Sequence, residues 1–99
     1  MNFSGFDWDL GNVIKCGRHG LTIREIEDLF DGEIGVVEDI AHSGGEFRFW
    51  AIGKVRGRYA LVVFTFRSSI DGRLIRPISA RYMHQSEVLR VKAQNPDLP

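Results

Sequence analysis

The chain has 99 residues, with 13 lysines and arginines against 13 aspartates and glutamates, so its formal net charge is zero. This length predicts one domain with a single core, and 43% apolar residues are typical of a soluble globular protein. Any contact with nucleic acid must therefore depend on where the charges lie and not on the total charge. We expect neither a signal peptide nor a membrane span.

Cysteine and histidine are scarce and scattered. The single cysteine, Cys16, excludes an internal disulfide and fits a reducing compartment, so we expect a cytoplasmic protein. His19, His42 and His84 show no metal-ligand spacing with other residues, and we expect neither a metal ion nor another cofactor. His19 would sit at a helix end, where it could serve as a structural cap or as an acid or base.

The first third of the chain predicts a short strand and two helices. Apolar and acidic residues alternate over 6–9, which predicts an edge strand, and Asp9 can cap a helix over 10–18 that Gly20 ends. The apolar residues of this helix fall on one face, and they are Leu10, Val13 and Ile14.

A capping box formed by Thr22 and Glu25 predicts the start of a second helix over 23–30. Its predicted core side chains are Ile26, Leu29 and Phe30.

Residues 59–66 predict the central strand of a sheet, because seven of these eight residues are apolar and most are β-branched or aromatic. Similar segments lie on either side, over 46–54 and 74–79. The turns between them are predicted at Arg56-Gly57 and Asp71-Gly72. The pattern indicates a three-stranded antiparallel meander.

The remaining segments complete an α+β fold, in which N-terminal helices pack on a small antiparallel sheet and a C-terminal helix follows. A strand is predicted over 34–38, and a polar, mobile loop over 39–45. A last helix is predicted over 82–93, with Val88 and Leu89 turned inward. We expect one domain over 1–94 and a frayed tail over 95–99.

The two turns fix a register for the meander. A two-residue loop at Arg56-Gly57 sets Trp50 opposite Val63, Arg48 opposite Thr65 and Glu46 opposite Arg67. A two-residue loop at Asp71-Gly72 sets Arg67 opposite Arg76 and Thr65 opposite Ile78. A one-residue slip in this second hairpin would move Arg76 to the other face of the sheet.

In this register charged residues gather at one end of one face, and they are Glu46, Arg48, Arg67 and Arg76. The excess of guanidinium groups is suited to an anion such as phosphate. The alternative is a solvated end of the sheet in which Glu46 pairs with one arginine.

Several segments resemble the BrnT toxin family, over about residues 6–87. They are Phe6-Asp-Trp-Asp9, Gly11-Asn12, Lys15-Cys16, Arg18-His-Gly20, Glu46-Phe-Arg48 followed by Ile52-Gly53, Val62-Val-Phe-Thr65, and Ile75-Arg-Pro-Ile-Ser-Ala-Arg-Tyr-Met-His84. The resemblance implies the toxin of a type II toxin–antitoxin pair, with a RelE-like fold and a ribonuclease activity that stops translation. It also implies a BrnA-type antitoxin that binds operator DNA and represses the operon together with the toxin.

For metal-independent RNA cleavage, the charged residues take the following expected roles. Arg48, Arg67 and Arg76 surround the phosphate, and Glu46 acts as the base or orients an arginine. Arg81, His84, His19 and Lys15 are candidates for RNA contact, with the histidines as candidate proton donors. The RNA could be free or on the ribosome, and the toxin could dimerise within a toxin–antitoxin heterotetramer.

Two alternatives without catalysis stay open. One is a corepressor that binds the antitoxin and acts at operator DNA. The other is a structural interaction domain with no role on nucleic acid.

Overall fold

The computed structural model describes residues 1–39 and 45–99. In these residues three α-helices and one five-stranded mixed sheet form an α+β fold, which confirms the predicted class. The elements in chain order are β1 (Gly5–Phe6), α1 (Leu10–Cys16), α2 (Ile23–Asp31), β2 (Gly35–Glu38), β3 (Phe49–Val55), β4 (Arg58–Ser69), β5 (Gly72–Tyr82) and α3 (Gln85–Gln94). None of these described helices has the length and apolar character that crossing a bilayer requires.

Both N-terminal helices begin at reciprocal caps. Asp9 accepts from the Asn12 N–H at 3.0 Å, and the Asn12 side chain accepts from the Asp9 N–H at 2.7 Å. In the predicted capping box, Thr22 and Glu25 exchange the same pair of bonds at 3.0 and 2.9 Å. The first helix is shorter than predicted, because its last residues form a separate 3₁₀ turn at Gly17–His19.

The sheet has the strand order β1-β5-β4-β3-β2. Strand β4 pairs antiparallel with β3 and with β5, so the predicted meander and its central strand are confirmed. Strand β1 pairs in parallel with β5, through Phe6 and Ile75, which makes the sheet mixed and not purely antiparallel. The predicted edge strand over 6–9 stops at Phe6, since Asp9 already caps the first helix.

The first hairpin has the predicted register. Arg56 and Gly57 have φ values of 50° and 79°, and two successive left-handed residues match the twist of the flanking strands. Trp50 therefore pairs with Val63, as the sequence predicts.

The predicted register of the second hairpin is wrong. Ser69 pairs with Gly72, so the loop consists of Ile70 and Asp71, and Ile70 is fully exposed. Arg67 lies opposite Leu74, and Arg76 lies opposite Thr65. The error is two residues, so Arg76 keeps its predicted face of the sheet.

A bulge interrupts the pairing of β4 with β5. Val63 pairs with Ser79, and Phe64 pairs with Pro77, which leaves Ile78 between them without a partner in the ladder. The predicted pair of Thr65 and Ile78 is absent because the shifted loop already sets Thr65 opposite Arg76. Proline lacks an N–H, and such residues occur at bulges because they cannot donate to the ladder.

The two faces of the sheet carry separate hydrophobic clusters. On the first face, α2 buries Ile26, Leu29 and Phe30 as predicted, and the Phe30 and Phe64 rings meet edge to face at 5.2 Å. On the second face, α3 contributes Val91 to a cluster with Ile52 and Leu61.

The predicted inward face of α3 is buried in part. Val88 packs against the second-face cluster as predicted, whereas Leu89 is 63% exposed and Val91 is buried in its place. This helix starts at Gln85 and not at 82, because β5 continues to Tyr82. The apolar face of α1 is also exposed, with Leu10 at 76%, because the buried side of that helix carries Asn12 and Cys16.

The segment 95–99, predicted to fray, contacts the sheet. Leu98 packs against the second-face cluster, and the Tyr59 hydroxyl donates to the Pro99 carbonyl at 2.6 Å. Most of the predicted mobile loop, including His42, falls on residues 40–44 and so lies outside the described residues.

Candidate functional site

The centre of the candidate site is an ion pair between Glu46 and Arg67. The Arg67 Nη1 lies 3.3 Å from the Glu46 Oε2, and both side chains are about half exposed. Arg67 projects from β4 on the second face, and Glu46 lies just before β3 where the first-hairpin register predicts it. A half-exposed pair of this kind is accessible to a substrate.

Thr65 attaches the segment that carries Glu46 to the sheet. The last paired residue of β3 is Phe49, so residues 46–48 lie beyond the ladder. The buried Thr65 hydroxyl donates to the Phe47 carbonyl at 2.6 Å and closes this gap. The side chain thus replaces a ladder hydrogen bond at the point where the ladder ends.

Arg48 lies in this attached segment and has an unsatisfied donor. Its Nε is buried and has no hydrogen-bond partner among the described residues. A buried polar atom without a partner costs about 1–3 kcal/mol, and more when the group is charged. Alternation along the strand puts Arg48 on the same side as Trp50, which is the face of Arg67.

Arg76 is on the predicted face but is held by carboxylates that the sequence analysis missed. Its Nη2 lies 2.8 Å from Asp9, and its Nη1 lies 3.5 Å from Asp7. The Asn12 N–H, followed by Arg76, holds the pKa of Asp9 below its ordinary value. The alternating acidic residues at 7 and 9 were visible in the sequence, but the parallel pairing that brings them to β5 was not.

Arg81 belongs to a second group at the start of α3. Its guanidinium binds Glu87 through two parallel bonds of 2.7 and 2.8 Å, which connect β5 to α3. Arg81 lowers the pKa of Glu87 below its ordinary value of 4.5. Arg81 is five residues from Arg76 along β5, about 16 Å at 3.3 Å per residue. His84 is the N-cap residue of α3 and is exposed.

Lys15 and His19 do not lie on the strands that carry Arg67 and Arg76. They are exposed residues of α1 and of the 3₁₀ turn, which pack on the first face through Cys16. Burial raises the pKa of the Cys16 thiol to about 11, which keeps it protonated and unreactive. Within residues 1–39 and 45–99, no group of three or more His, Cys, Asp or Glu side chains could hold a metal ion.

The fold and these charged groups define a small α+β protein with guanidinium groups at one end of a sheet face. The family described as "Ribonuclease toxin, BrnT, of type II toxin-antitoxin system" matches residues 8–87. The chain therefore belongs to the BrnT family of ribonuclease toxins, and a type II toxin implies an antitoxin partner. A comparison with individual curated proteins gave no match.

Proposed function

We propose that this toxin cleaves RNA without a metal ion at the cluster of Glu46, Arg48 and Arg67, with Arg76 as the adjacent fourth member. The observation that carries the proposal is the half-exposed Glu46–Arg67 ion pair, with 3.3 Å between Nη1 and Oε2, and with Arg48 two residues from Glu46 in the chain. A phosphate between these side chains would accept from their guanidinium groups, which suit phosphate geometry.

The chemistry is an internal transfer. The ribose 2′-oxygen attacks the phosphorus, its proton passes to the Glu46 carboxylate, and the bond from phosphorus to the 5′-oxygen breaks. The leaving 5′-oxygen takes up one proton from water, and Glu46 later returns its proton to water, so the products are a 2′,3′-cyclic phosphate and a 5′-hydroxyl. Arg67 orients Glu46, and with Arg48 it stabilises the charge of the crowded phosphate. Neither arginine serves as the base, since a guanidinium does not lose its proton in proteins.

Arg76 has a more limited role in this proposal. Because Asp9 and Asp7 already contact its guanidinium, a phosphate must displace or share these carboxylates. We therefore assign Arg76 to substrate binding at the edge of the cluster. Farther away, Arg81 and His84 would contact the RNA along β5, and Lys15 and His19 would do so from the other side of the sheet.

The cellular partners are part of this proposal, and membership of a toxin–antitoxin family supports them. A BrnA-type antitoxin would cover the cluster and, together with the toxin, bind operator DNA. The toxin would dimerise within that complex. The RNA substrate would be messenger RNA, free or on the ribosome, and its cleavage would arrest translation and growth.

The test is substitution of Arg67 by alanine in the toxin expressed without its antitoxin. We expect growth arrest and loss of intact mRNA with the wild type, and a loss of at least 100-fold in cleavage rate with Arg67→Ala, in the range of 10²–10³ for removal of one charge-stabilising donor. Arg24→Ala is the matched control, because the Arg24 side chain is 90% exposed on α2. An Arg67→Ala protein with the wild-type circular dichroism spectrum and full cleavage would refute the site.

A second candidate function is a corepressor that binds the antitoxin without cleaving RNA. The observation that favours it is charge compensation, because Arg67 and Arg76 both have carboxylate partners. Under this alternative, expression without the antitoxin causes no arrest, or causes arrest with intact mRNA. The two functions therefore differ in one measurement, the integrity of mRNA after induction.

A further inference from the structure

Cations without carboxylate partners gather at the opposite end of the sheet from the candidate site, around the β3–β4 turn. Lys54 and Lys92 both lie over the ring of Tyr59, at 5.1 and 4.6 Å from its centroid. We call these two lysines and Tyr59 the turn-end surface. Arg58 stacks on the ring of Tyr82 at 4.1 Å, but both of these side chains lie on the first face of the sheet, away from this surface.

The two lysines reach the same ring from different elements. Lys54 is on β3, opposite Tyr59 in the ladder, and Lys92 is in the last turn of α3. Both ammonium groups lie within about 10 Å of each other, which is comparable to the Debye length at 0.1 M salt, so an approaching anion is attracted by both charges. The fold therefore holds two like charges together on an aromatic ring.

No aspartate or glutamate lies within ion-pair distance of either lysine in the part of the chain that the structure describes. The ion pairs near the turn are formed by other residues: Arg56 with Glu25 at 3.3 Å, and Arg24 with Asp28 at 3.8 Å. Glu25, Asp28 and Glu33 line the neighbouring cavity of about 570 Å³ together with Lys54, but none of them forms an ion pair with it. The positive charge at this end is thus available to a ligand.

The candidate cleavage site differs in this respect. There Arg67 is paired with Glu46, and Arg76 is paired with Asp7 and Asp9. Because the whole chain has no net charge, attraction of a polyanion must come from a local excess of cations. The turn-end surface provides that excess.

We propose that the turn-end surface binds the phosphate backbone of the RNA substrate, at a distance from the bond that is cleaved. Tyr59 and Arg67 lie on the same face of β4, eight residues apart, which is about 26 Å at 3.3 Å per residue. A strand of RNA in contact with both regions extends along the length of the sheet. This inference rests on the proposed ribonuclease function, because it assigns the bound strand as its substrate.

The test measures binding and not cleavage. A fluorescein-labelled single-stranded 2′-O-methyl oligonucleotide lacks the attacking hydroxyl, and its fluorescence anisotropy reports the affinity of the full-length toxin over a range of salt concentrations. The variant is K54Q/K92Q, with R24Q as the control that removes one exposed charge from α2 without touching a tyrosine ring. Single lysine variants are included, and thermal unfolding of each protein confirms that it is folded.

We expect the slope of log affinity against log salt to decrease by about 0.7 for each phosphate that is no longer bound, with roughly tenfold weaker binding of K54Q/K92Q at 0.1 M salt. R24Q should match the wild type. Unchanged slopes in all folded variants overturn the proposal, as does a weakening that is seen on duplex DNA but not on the single strand. If binding depends on this surface while Arg67→Ala still cleaves normally, the surface is supported and the proposed catalytic site is wrong.

Discussion

A single buried side chain, Asn12, connects the N-terminal segment to the sheet. Its Nδ2 donates to the carbonyls of Asp7 and Pro77, both at 2.9 Å, and its Oδ1 accepts from the Asp9 N–H. Asn12 is only 6% exposed, so water cannot easily replace these partners. Since Asp7 and Asp9 contact Arg76, this amide also determines the surroundings of that arginine.

Asn12→Ala is expected to destabilise the protein by about 2–4 kcal/mol, because each buried carbonyl left without a donor costs about 1–3 kcal/mol. Urea unfolding followed by circular dichroism gives this value. Asn12→Asp, which keeps the acceptor and removes both donors, should also destabilise. An ordinary surface substitution changes stability by about 0.5 kcal/mol. An alanine variant whose stability is within that amount of the wild type would contradict the expected role of Asn12.

The ion pair of Arg81 and Glu87 gives a stability that depends on pH. Since Arg81 lowers the pKa of Glu87 below its ordinary value of 4.5, the unfolded state binds more protons than the folded state in acid. The stabilisation is therefore complete above the ordinary pKa and is lost as the pH falls through the folded value. The lowered pKa values of Asp9 and Glu25 act in the same direction.

We expect the wild type to exceed Glu87→Gln in free energy of unfolding by a constant amount above the ordinary pKa of 4.5, and the difference to shrink below it. Urea titrations at a series of pH values measure both curves. A difference that is as large in acid as at neutral pH would show that the pair does not titrate in this way.

At the scale of elements, local sequence patterns predict helix caps and strands well, but they do not predict which strands pair when these are distant in the chain. The first hairpin was predictable because Arg56-Gly57 is a turn signal between alternating strands. In the second hairpin Asp71-Gly72 gave the same signal, but the loop includes the apolar Ile70 and ends one residue earlier. No turn pattern indicates this. The helix caps depend on residues three apart, and both cap residues were predictable.

The candidate site shows the same division. Glu46 and Arg67 were predicted as neighbours from the first hairpin alone, and their ion pair agrees with that. Asp9 and Asp7 are 67 and 69 residues from Arg76 in the chain, and the parallel pairing of β1 with β5 brings them together. The sequence carries no signal for the register of that pairing. The unsatisfied Arg48 Nε depends on packing, which alternation of residues does not reveal.

Substitutions of apolar residues on two helices should separate the core from the surface. Phe30 on α2 is 6% exposed and touches the rings of Phe3, Phe6 and Phe64, so Phe30→Ala should cost about 3–5 kcal/mol. Leu89→Ala on α3 should change stability by less than about 0.5 kcal/mol, because Leu89 is exposed. Urea unfolding compares the two, and equal effects would contradict this placement of the helices.

At the scale of the whole molecule, the tail over 95–99 packs into a space that is open because residue 35 is a glycine. A Cβ at Gly35 would overlap the Cδ2 of Leu98, so β2 accommodates the tail only because this residue has no side chain. The tail in turn contacts Tyr59, the ring on which two lysines rest. The edge of the sheet and the turn-end surface are therefore linked through five residues.

Gly35→Ala should release Leu98 and let the tail fray, with little effect on the rest of the fold, because a flexible side chain can move away. Hydrogen–deuterium exchange should then rise to the unprotected rate over 95–99 and stay at the wild-type rate in β4. Deletion of 95–99 provides the reference for a sheet without the tail. A protected tail in the alanine variant would show that Leu98 does not depend on the space at Gly35.

The pairing of β1 with β5 also determines when the fold can be completed during synthesis. A ribosome delivers the chain from its N-terminus, so Phe6 emerges long before Ile75, the residue it pairs with. Asp7, Asp9 and Arg76 therefore meet only when most of the polypeptide has been synthesised. A nascent toxin, or a fragment that stops before the last strand, lacks this assembly altogether.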